Sequence, residues 1–338
     1  MNKIPTQVHP RTAYSVKGKV AIVTGAGSGI SHALTKILLQ EGCSVVMADL
    51  TLRPEAKQTL EEASTVSGVN GKASAIFQQT DVSDWAQLQT LFDKAIETYG
   101  TVNIIVNGAA IYEPPSSTFW QPPGVSPAAK DKVDCSPGVY QTYAVNAMGP
   151  IRLAQIALNY WFYHPDAEMN FDGNLVWLSS VCGYVHLMQS PLYFSSKAAI
   201  NSMVKCLSPL RGMFGIRNAA VCPGPVKASF HQPCLSRYIT PIFDADYCKG
   251  QLLPTDIGLT AEQAAEETFK VMTEPQFGDG NIVEVVAAPG ESTEQPVTVR
   301  VRETPLEALY PSPPLEGNHF MEEEQKFIEM LKTLVYVG

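Results

Sequence analysis

The stretch "YFSSK" sets a phenol, Tyr193, and an ammonium, Lys197, four residues apart, on one face if the segment is helical. A free tyrosine keeps its proton up to a pH of about 10, too high for a base at neutral pH. An ammonium beside it favours the phenolate, so such a pair can pass a proton to an oxygen or take one from it. The spacing alone occurs by chance in many chains, so its meaning depends on where the fold carries it. A second stretch, "TGAGSGISHAL" at residues 24–34, is rich in glycine where a backbone would have to approach a phosphate closely. Gly25 permits a tight turn and Gly29 a close approach, while Ser31 stands where a third glycine would ease the packing of helix on strand.

The elements that must position these residues follow from the apolar pattern. From Lys19 onward, short apolar runs alternate with longer amphipathic ones. Strands are expected at 19–24, 44–50, 73–82, 102–110, 174–180, 216–224 and 280–287, with helical periodicity between them, as in "WAQLQTLFDKAIETYG". Near-continuous Val, Ile and Ala strands separated by helices predict a parallel sheet covered on both faces. The expected fold is therefore α/β, a doubly wound, seven-stranded parallel Rossmann-type sheet. In it the glycine loop joins the first strand to the first helix, whose N–H groups point at a bound pyrophosphate. Tyr193 and Lys197 open the helix after the fifth strand, thirteen residues beyond Ser180.

The spacing TGxxxGI, followed in order by Asn146, Ser180 and the Tyr193–Lys197 pair, resembles the short-chain dehydrogenase/reductase family over about residues 17–288. Within it, "SGISHALTKILLQEGCSVVMADLTLRPEA" and "LRGMFGIRNAAVCPG" look like fungal members related to 15-hydroxyprostaglandin dehydrogenase. The resemblance implies that Asn146, Ser180, Tyr193 and Lys197 are the catalytic set. Tyr193 would be the acid/base, Lys197 its tuner and a donor to the nicotinamide ribose. Ser180 would hold the substrate oxygen, and Asn146 would support a proton-relay water by its backbone and side chain.

It implies further that Gly25, Ser28, Gly29 and Ile30 hold the pyrophosphate, Asp49 and Leu50 the adenosine ribose, and Asp81 and Val82 the adenine. "VNGAA" stands where the family has NNAG: Asn107 is kept, Gly108 and Ala110 are departures, and Ala109 lies between them. Pro223, Gly224 and Val226 match the loop over the nicotinamide, but Ala228 replaces its threonine, with Ser229 next door. A carboxylate at Asp49 accepts from ribose hydroxyls and repels a 2′-phosphate, so NAD(H) is expected over NADP(H); Arg53 is the residue that could reverse this. The activity implied is interconversion of a secondary alcohol and a ketone on an apolar small molecule, such as an intermediate of fungal secondary metabolism. Two alternatives stand beside it: non-redox dehydratase or cyclase chemistry on the same fold, suggested by Ser31, Gly108, Ala110 and Ala228, and an NADPH-dependent ketoreductase.

Bulk properties narrow the partners. The 338 residues carry a net charge of −9 and no run of Lys or Arg, which argues against nucleic acid or an anionic membrane. No apolar stretch is long enough to span a bilayer and the N-terminus lacks a secretory core, so a cytoplasmic protein is expected. Seven scattered cysteines without a CxxC pair fit a reducing compartment, and the six histidines show no metal-ligand spacing, so no metal is expected.

The expected organisation is an arm at 1–16, one domain over 17–288, and an extension at 289–338 ending in an amphipathic helix. Within the domain, 112–138 is a proline-rich insertion read as a lid or substrate rim. The segment 230–258, with Phe230, Tyr238, Phe243 and Tyr247, is read as the substrate-binding segment. The helix through "YQTYAVNAMGPIRLAQIALNYWFYH" is apolar on most sides, and the family resemblance makes it a subunit interface, hence a homodimer or homotetramer.

Overall fold

The computed structural model describes residues 10–65, 73–113, 117, 119–120, 122–125, 131–163, 173–188, 190–227, 257–290, 297–304 and 326–330. Its strands are β1 Val20–Thr24, β2 Ser44–Asp49, β3 Ala75–Gln79, β4 Ile104–Asn107, β5 Asn174–Leu178, β6 Arg217–Pro223, β7 Asp279–Pro289 and β8 Val297–Glu303. Its helices are α1 Gly29–Gln40, α2 Pro54–Thr65, α3 Trp85–Tyr99, α4 Gln141–Tyr143, α5 Gly149–Tyr163, α6 Pro191–Cys206, α7 Leu210–Phe214 and α8 Ala261–Thr273.

The sheet runs in the order β3-β2-β1-β4-β5-β6-β7-β8. Strands β1 to β7 pair in parallel, and β8 is antiparallel to β7. The doubly wound α/β fold is as expected, but the sheet has eight strands where the pattern predicted seven. The eighth lies in the expected C-terminal extension, where "VTVRVRE" alternates polar and apolar residues and only residues 297–299 are partly covered. Such an edge strand buries too little to stand out in a sequence scanned for buried runs.

The β1, β2, β4, β5 and β6 strands are buried along nearly all their length because helices cover both faces. Leu88, Leu91 and Phe92 of α3, Leu153 and Trp161 of α5, and Ile200 and Val204 of α6 pack on one side. Leu34 and Leu38 of α1, Ala56 of α2, and Ala265 and Met272 of α8 pack on the other. Local signals set the helix ends. Asp84 caps α3 by accepting from Ala86 N and Gln87 N, and Gly100, at φ 75°, closes it in the left-handed region. Thr260 and Gln263 form a reciprocal capping box on α8.

From β1 the chain winds one way through β2 and β3, and from β4 the other way through β5 and β6. A crevice therefore opens beyond the carboxyl ends of β1 and β4, the place where such sheets bind ligands. Strands β1 to β6 are shorter than the apolar runs that announced them, so Asp81, Val82, Gly108, Ala109, Ser180 and Gly224 sit in the loops just past strand ends. Within the expected C-terminal helix, residues 326–330 are helical. No helix among the described residues is long and apolar enough to cross a membrane.

Candidate functional site

A cavity of about 600 Å³ fills this crevice. At one end lie Gly25, Ser28, Gly29, Ile30, Asp49 and Leu50, with Asp81 and Val82 beside them. At the other lie Ser180, Tyr193 and Lys197, with Pro223, Gly224 and Val226 forming a further wall and Gly108 and Ala109 between. Of the catalytic and cofactor-binding residues expected at the site, Asn107 and Asn146 do not line it, and neither does any described residue of the 112–138 insertion.

The glycine loop is shaped by contacts that exclude side chains. Gly25 has φ 72°, and a β-carbon there would lie 2.9 Å from Ala109 N. Gly27, absent from the sequence reading, is held tighter still: its N–H donates to Asp49 Oδ2 at 2.8 Å, and a β-carbon would strike Thr51 O. Gly29, at φ 58°, has open space where its side chain would be. Ser28 makes no side-chain cap to α1 and the first turn has no acidic residue, so neither covers the positive end of the helix that borders the cavity. Open N–H groups, a glycine with free space before it and a cavity of this volume fit a dinucleotide.

Ser31 and Gly108 prove to be one packing solution. Ser31 is buried, and a β-carbon on residue 108 would collide with Ser31 Oγ and lie 2.9 Å from Thr24 O. Volume added on α1 is thus matched by volume absent after β4. Thr24 fastens the two loops, its Oγ1 donating to Val106 O at 3.2 Å and accepting from Gly108 N at 3.0 Å.

Asp49 ends β2, and its Oδ1 accepts from Leu50 N at 2.7 Å. Burial pushes its carboxyl above the ordinary value, against the opposing N–H groups of Gly27, Thr51 and Leu50 and the charge of Arg53. Arg53, Lys36 and His32 line the same end of the cavity. Asn107 is buried with neither its side-chain oxygen nor its nitrogen hydrogen-bonded within the protein.

At the other end, α6 presents Tyr193 and Lys197 one turn apart, both buried within the helix packing yet bordering the cavity. Lys197 Nζ lies 5.8 Å from the centre of the Tyr193 ring and donates to Leu178 O at 2.9 Å. Burial pushes the Lys197 ammonium down to about 8. Burial likewise pushes the Tyr193 phenol well up, and a hydrogen bond with Ser180 works the other way. Ser180 Oγ also accepts from Cys182 N at 3.2 Å.

Asn146 lies in a π-helical turn, Ala144–Met148, that interrupts the expected continuous helix between α4 and α5. Its Oδ1 accepts from Ile111 N at 2.8 Å, and its Nδ2 donates to Ile111 O at 2.8 Å and Ser196 Oγ at 3.1 Å. Both amide hydrogens are thus committed to holding Ile111 against α6. Ala228, Ser229, Phe230, Tyr238, Phe243 and Tyr247 lie outside the described residues, but the flanks of that segment meet in a bridge between Val226 and Leu259.

Sequence reasoning also missed Glu113. It is buried beneath the start of α6 and accepts from Tyr193 N at 3.0 Å. No spacing rule points to a residue 80 positions away from the tyrosine it serves.

A sequence model described as short chain dehydrogenase matches residues 19–237. The 15-hydroxyprostaglandin dehydrogenase (NAD(+)) of Rattus norvegicus is 28% identical over 216 residues, 63% of this chain and 70% of that protein. Versicolorin reductase stcU of Emericella nidulans is 29% identical over 279 residues, covering 80% of this chain and 96% of that protein. Elsinochrome reductase 1 of Elsinoe fawcettii is 29% identical over 223 residues, covering 66% and 73%.

Proposed function

The chain belongs to the short-chain dehydrogenase family, and from that premise we propose that it interconverts a secondary alcohol and a ketone on an apolar small molecule with NAD(H). Membership makes it an oxidoreductase acting on CH–OH groups with a nicotinamide cofactor. The observation that carries the finer reading is the single cavity joining the glycine loop and Asp49 to Ser180, Tyr193 and Lys197.

In this reading the N–H groups at the start of α1 hold the pyrophosphate and Asp49 the adenosine ribose. Asp81 and Val82 flank the adenine, and the backbone of Val226 faces the carboxamide. The nicotinamide, when bound, supplies or takes up the hydride. Ser180 holds the substrate oxygen by a hydrogen bond. Tyr193 gives that oxygen its phenolic proton in reduction and recovers it in oxidation. Lys197 as an ammonium favours the phenolate and reaches the ribose hydroxyls. Asn146 contributes by fixing Ile111 and by its backbone.

An apolar substrate is supported by the half-exposed Phe119, Trp120 and Leu187 and the exposed Met188 beyond Ser180; Trp120 Nε1 donates to Met188 O at 2.8 Å, tying the insertion to that segment. A role in fungal secondary metabolism is supported by the names of the versicolorin and elsinochrome reductases. The NAD(+) of the prostaglandin dehydrogenase supports the cofactor. The same proposal includes a homodimer or homotetramer built on α5, whose Leu158 and Phe162 border a groove of about 310 Å³ with Met203 and Leu207. The free thiols of Cys43, Cys135, Cys182, Cys206 and Cys222 support a reducing, cytoplasmic setting.

Arg53 and Lys36 at the adenosine end favour a second reading with NADP(H). Titration with NADH and NADPH, followed by nicotinamide fluorescence, separates the two. Tight NADH and weak NADPH binding is expected; the reverse order transfers the role to Arg53 and Lys36, and binding of neither removes the redox reading of this cavity. Tyr193→Phe should abolish turnover while leaving NADH binding in place.

A further inference from the structure

We propose that Glu113 is a positioning residue for Tyr193, replacing from a distant loop the cap that the catalytic helix lacks. The inference rests on the reading of Tyr193 as acid/base. Helix α6 begins without local support: Ser190, its N-cap, makes no side-chain cap bond, and Pro191 occupies the first turn. Phe194 N reaches Ser190 O at 3.1 Å, so Tyr193 is the last residue of the first turn whose N–H has no helical acceptor. Glu113 supplies that acceptor. Its Oε2 takes the Tyr193 N–H at 3.0 Å, and its Oε1 takes the Phe119 N–H at 2.7 Å.

The carboxylate is fully buried, where an unbonded charge would be prohibitive, and it faces the positive end of a helix, where a negative charge is favoured. Two more contacts fix the same junction. Ser190 Oγ donates to Glu113 O at 2.9 Å, and the Tyr112 ring packs on the Tyr193 ring at 4.5 Å between centres, tilted by 54°. Residues 112 and 113 thus hold both the backbone and the ring of Tyr193. Upstream, Asn146 grips Ile111 through both its N–H and its C=O. One strut therefore runs from the π-helical turn through 111–113 to the phenol. An error of an ångström in a reacting group can cost a hundredfold in rate, which gives such a strut its value.

The test uses the full chain with Glu113→Ala, Glu113→Gln and Tyr193→Phe, NADH as cofactor and 9,10-phenanthrenequinone as the carbonyl probe. Hydrogen exchange read by mass spectrometry follows the amides of residues 190–197. Glu113→Ala is expected to lower kcat at least tenfold, change the Kd for NADH less than twofold, and speed exchange at 190–197 while β1 and α1 stay protected. Glu113→Gln, which keeps one acceptor oxygen, should fall between Ala and the parent. A parental kcat in Glu113→Ala beside an inactive Tyr193→Phe overturns the inference alone. An equal loss of NADH binding and turnover also overturns it, since the role would then be merely structural. Full activity in Tyr193→Phe defeats the reading on which it rests. Should the quinone not turn over, unchanged exchange at 190–197 in Glu113→Ala overturns the proposal without a substrate.

Discussion

Ser31 and Gly108 look like two independent losses until their side-chain volumes are set against each other. Gly108→Ala would drive a methyl into Ser31 Oγ and crowd Thr24 O at 2.9 Å. A loss of about 1–3 kcal/mol is expected from such overpacking. Ser31→Gly should recover part of it and no more, because the Thr24 carbonyl belongs to the backbone. Urea unfolding of both single variants and the double variant will show the coupling as non-additivity.

Lys197 carries a second residue-scale prediction. Its folded value of about 8 lies below the ordinary lysine range, because burial disfavours the ammonium. The unfolded chain therefore binds more protons between pH 8 and about 10.4, and stability from this group rises with pH across that window. Below it, the buried charge costs stability. Lys197→Met should accordingly stabilise the cofactor-free protein at pH 7. Thermal melts should show that advantage fading as the pH rises through the window. In the role proposed for Lys197, an ammonium that weakens its own fold is the trade expected of a functional site.

Among elements, the π-helical turn and the edge strand do different work. The turn adds a residue to the helical circuit, and within it Asn146 bonds both polar groups of the Ile111 backbone; such turns are frequent at functional sites. Asn146→Ala frees the Ile111 N–H and C=O together, and should lower kcat and speed amide exchange at 111–113.

Strand β8 clamps the segment after Ser180 through a buried carboxylate. Arg302 donates to Glu284 Oε1 at 2.6 Å, and Tyr184 Oη to Glu284 Oε2 at 2.8 Å. Burial raises the Glu284 carboxyl, but these bonds and the charges of Arg302 and Arg300 outweigh it and leave it below the ordinary value. A depressed carboxylate contributes stability that is present above the unfolded value and lost as pH falls through the folded one. Arg302→Ala should therefore lower Tm at pH 7, with the difference from the parent shrinking below about pH 4.

At the scale of the molecule, helix α5 leaves part of its apolar surface in a groove. Helix α5 turns Leu153, Ala157 and Trp161 to the core but leaves Leu158 and Phe162 beside the groove with Met203. An apolar groove left partly open in one chain suits a second copy with the same face, the isologous contact of most homodimers. Phe162→Glu places a charge in that contact. Analytical ultracentrifugation should show the parent as a dimer or tetramer and the variant as a monomer; a parental monomer sinks the proposed assembly.

Periodicity alone was enough to read the parallel sheet, because strands buried on both faces must be continuously apolar whatever they pack against. The convergence of the glycine loop, Asp49, Ser180 and the Tyr193–Lys197 pair on one cavity was legible for a related reason: each sits at a fixed offset from the end of its own strand or helix. What depends on contacts between distant segments was not legible. The exchange of volume between Ser31 and Gly108, the grip of Gly27 on Asp49 and the β8 clamp on Glu284 all join residues whose separation along the chain carries no periodic signal. The bond from Glu113 to Tyr193 is the clearest case. A glutamate in a proline-rich loop reads as solvent-exposed, and only the packing of that loop beneath α6 turns it into an acceptor for the Tyr193 N–H.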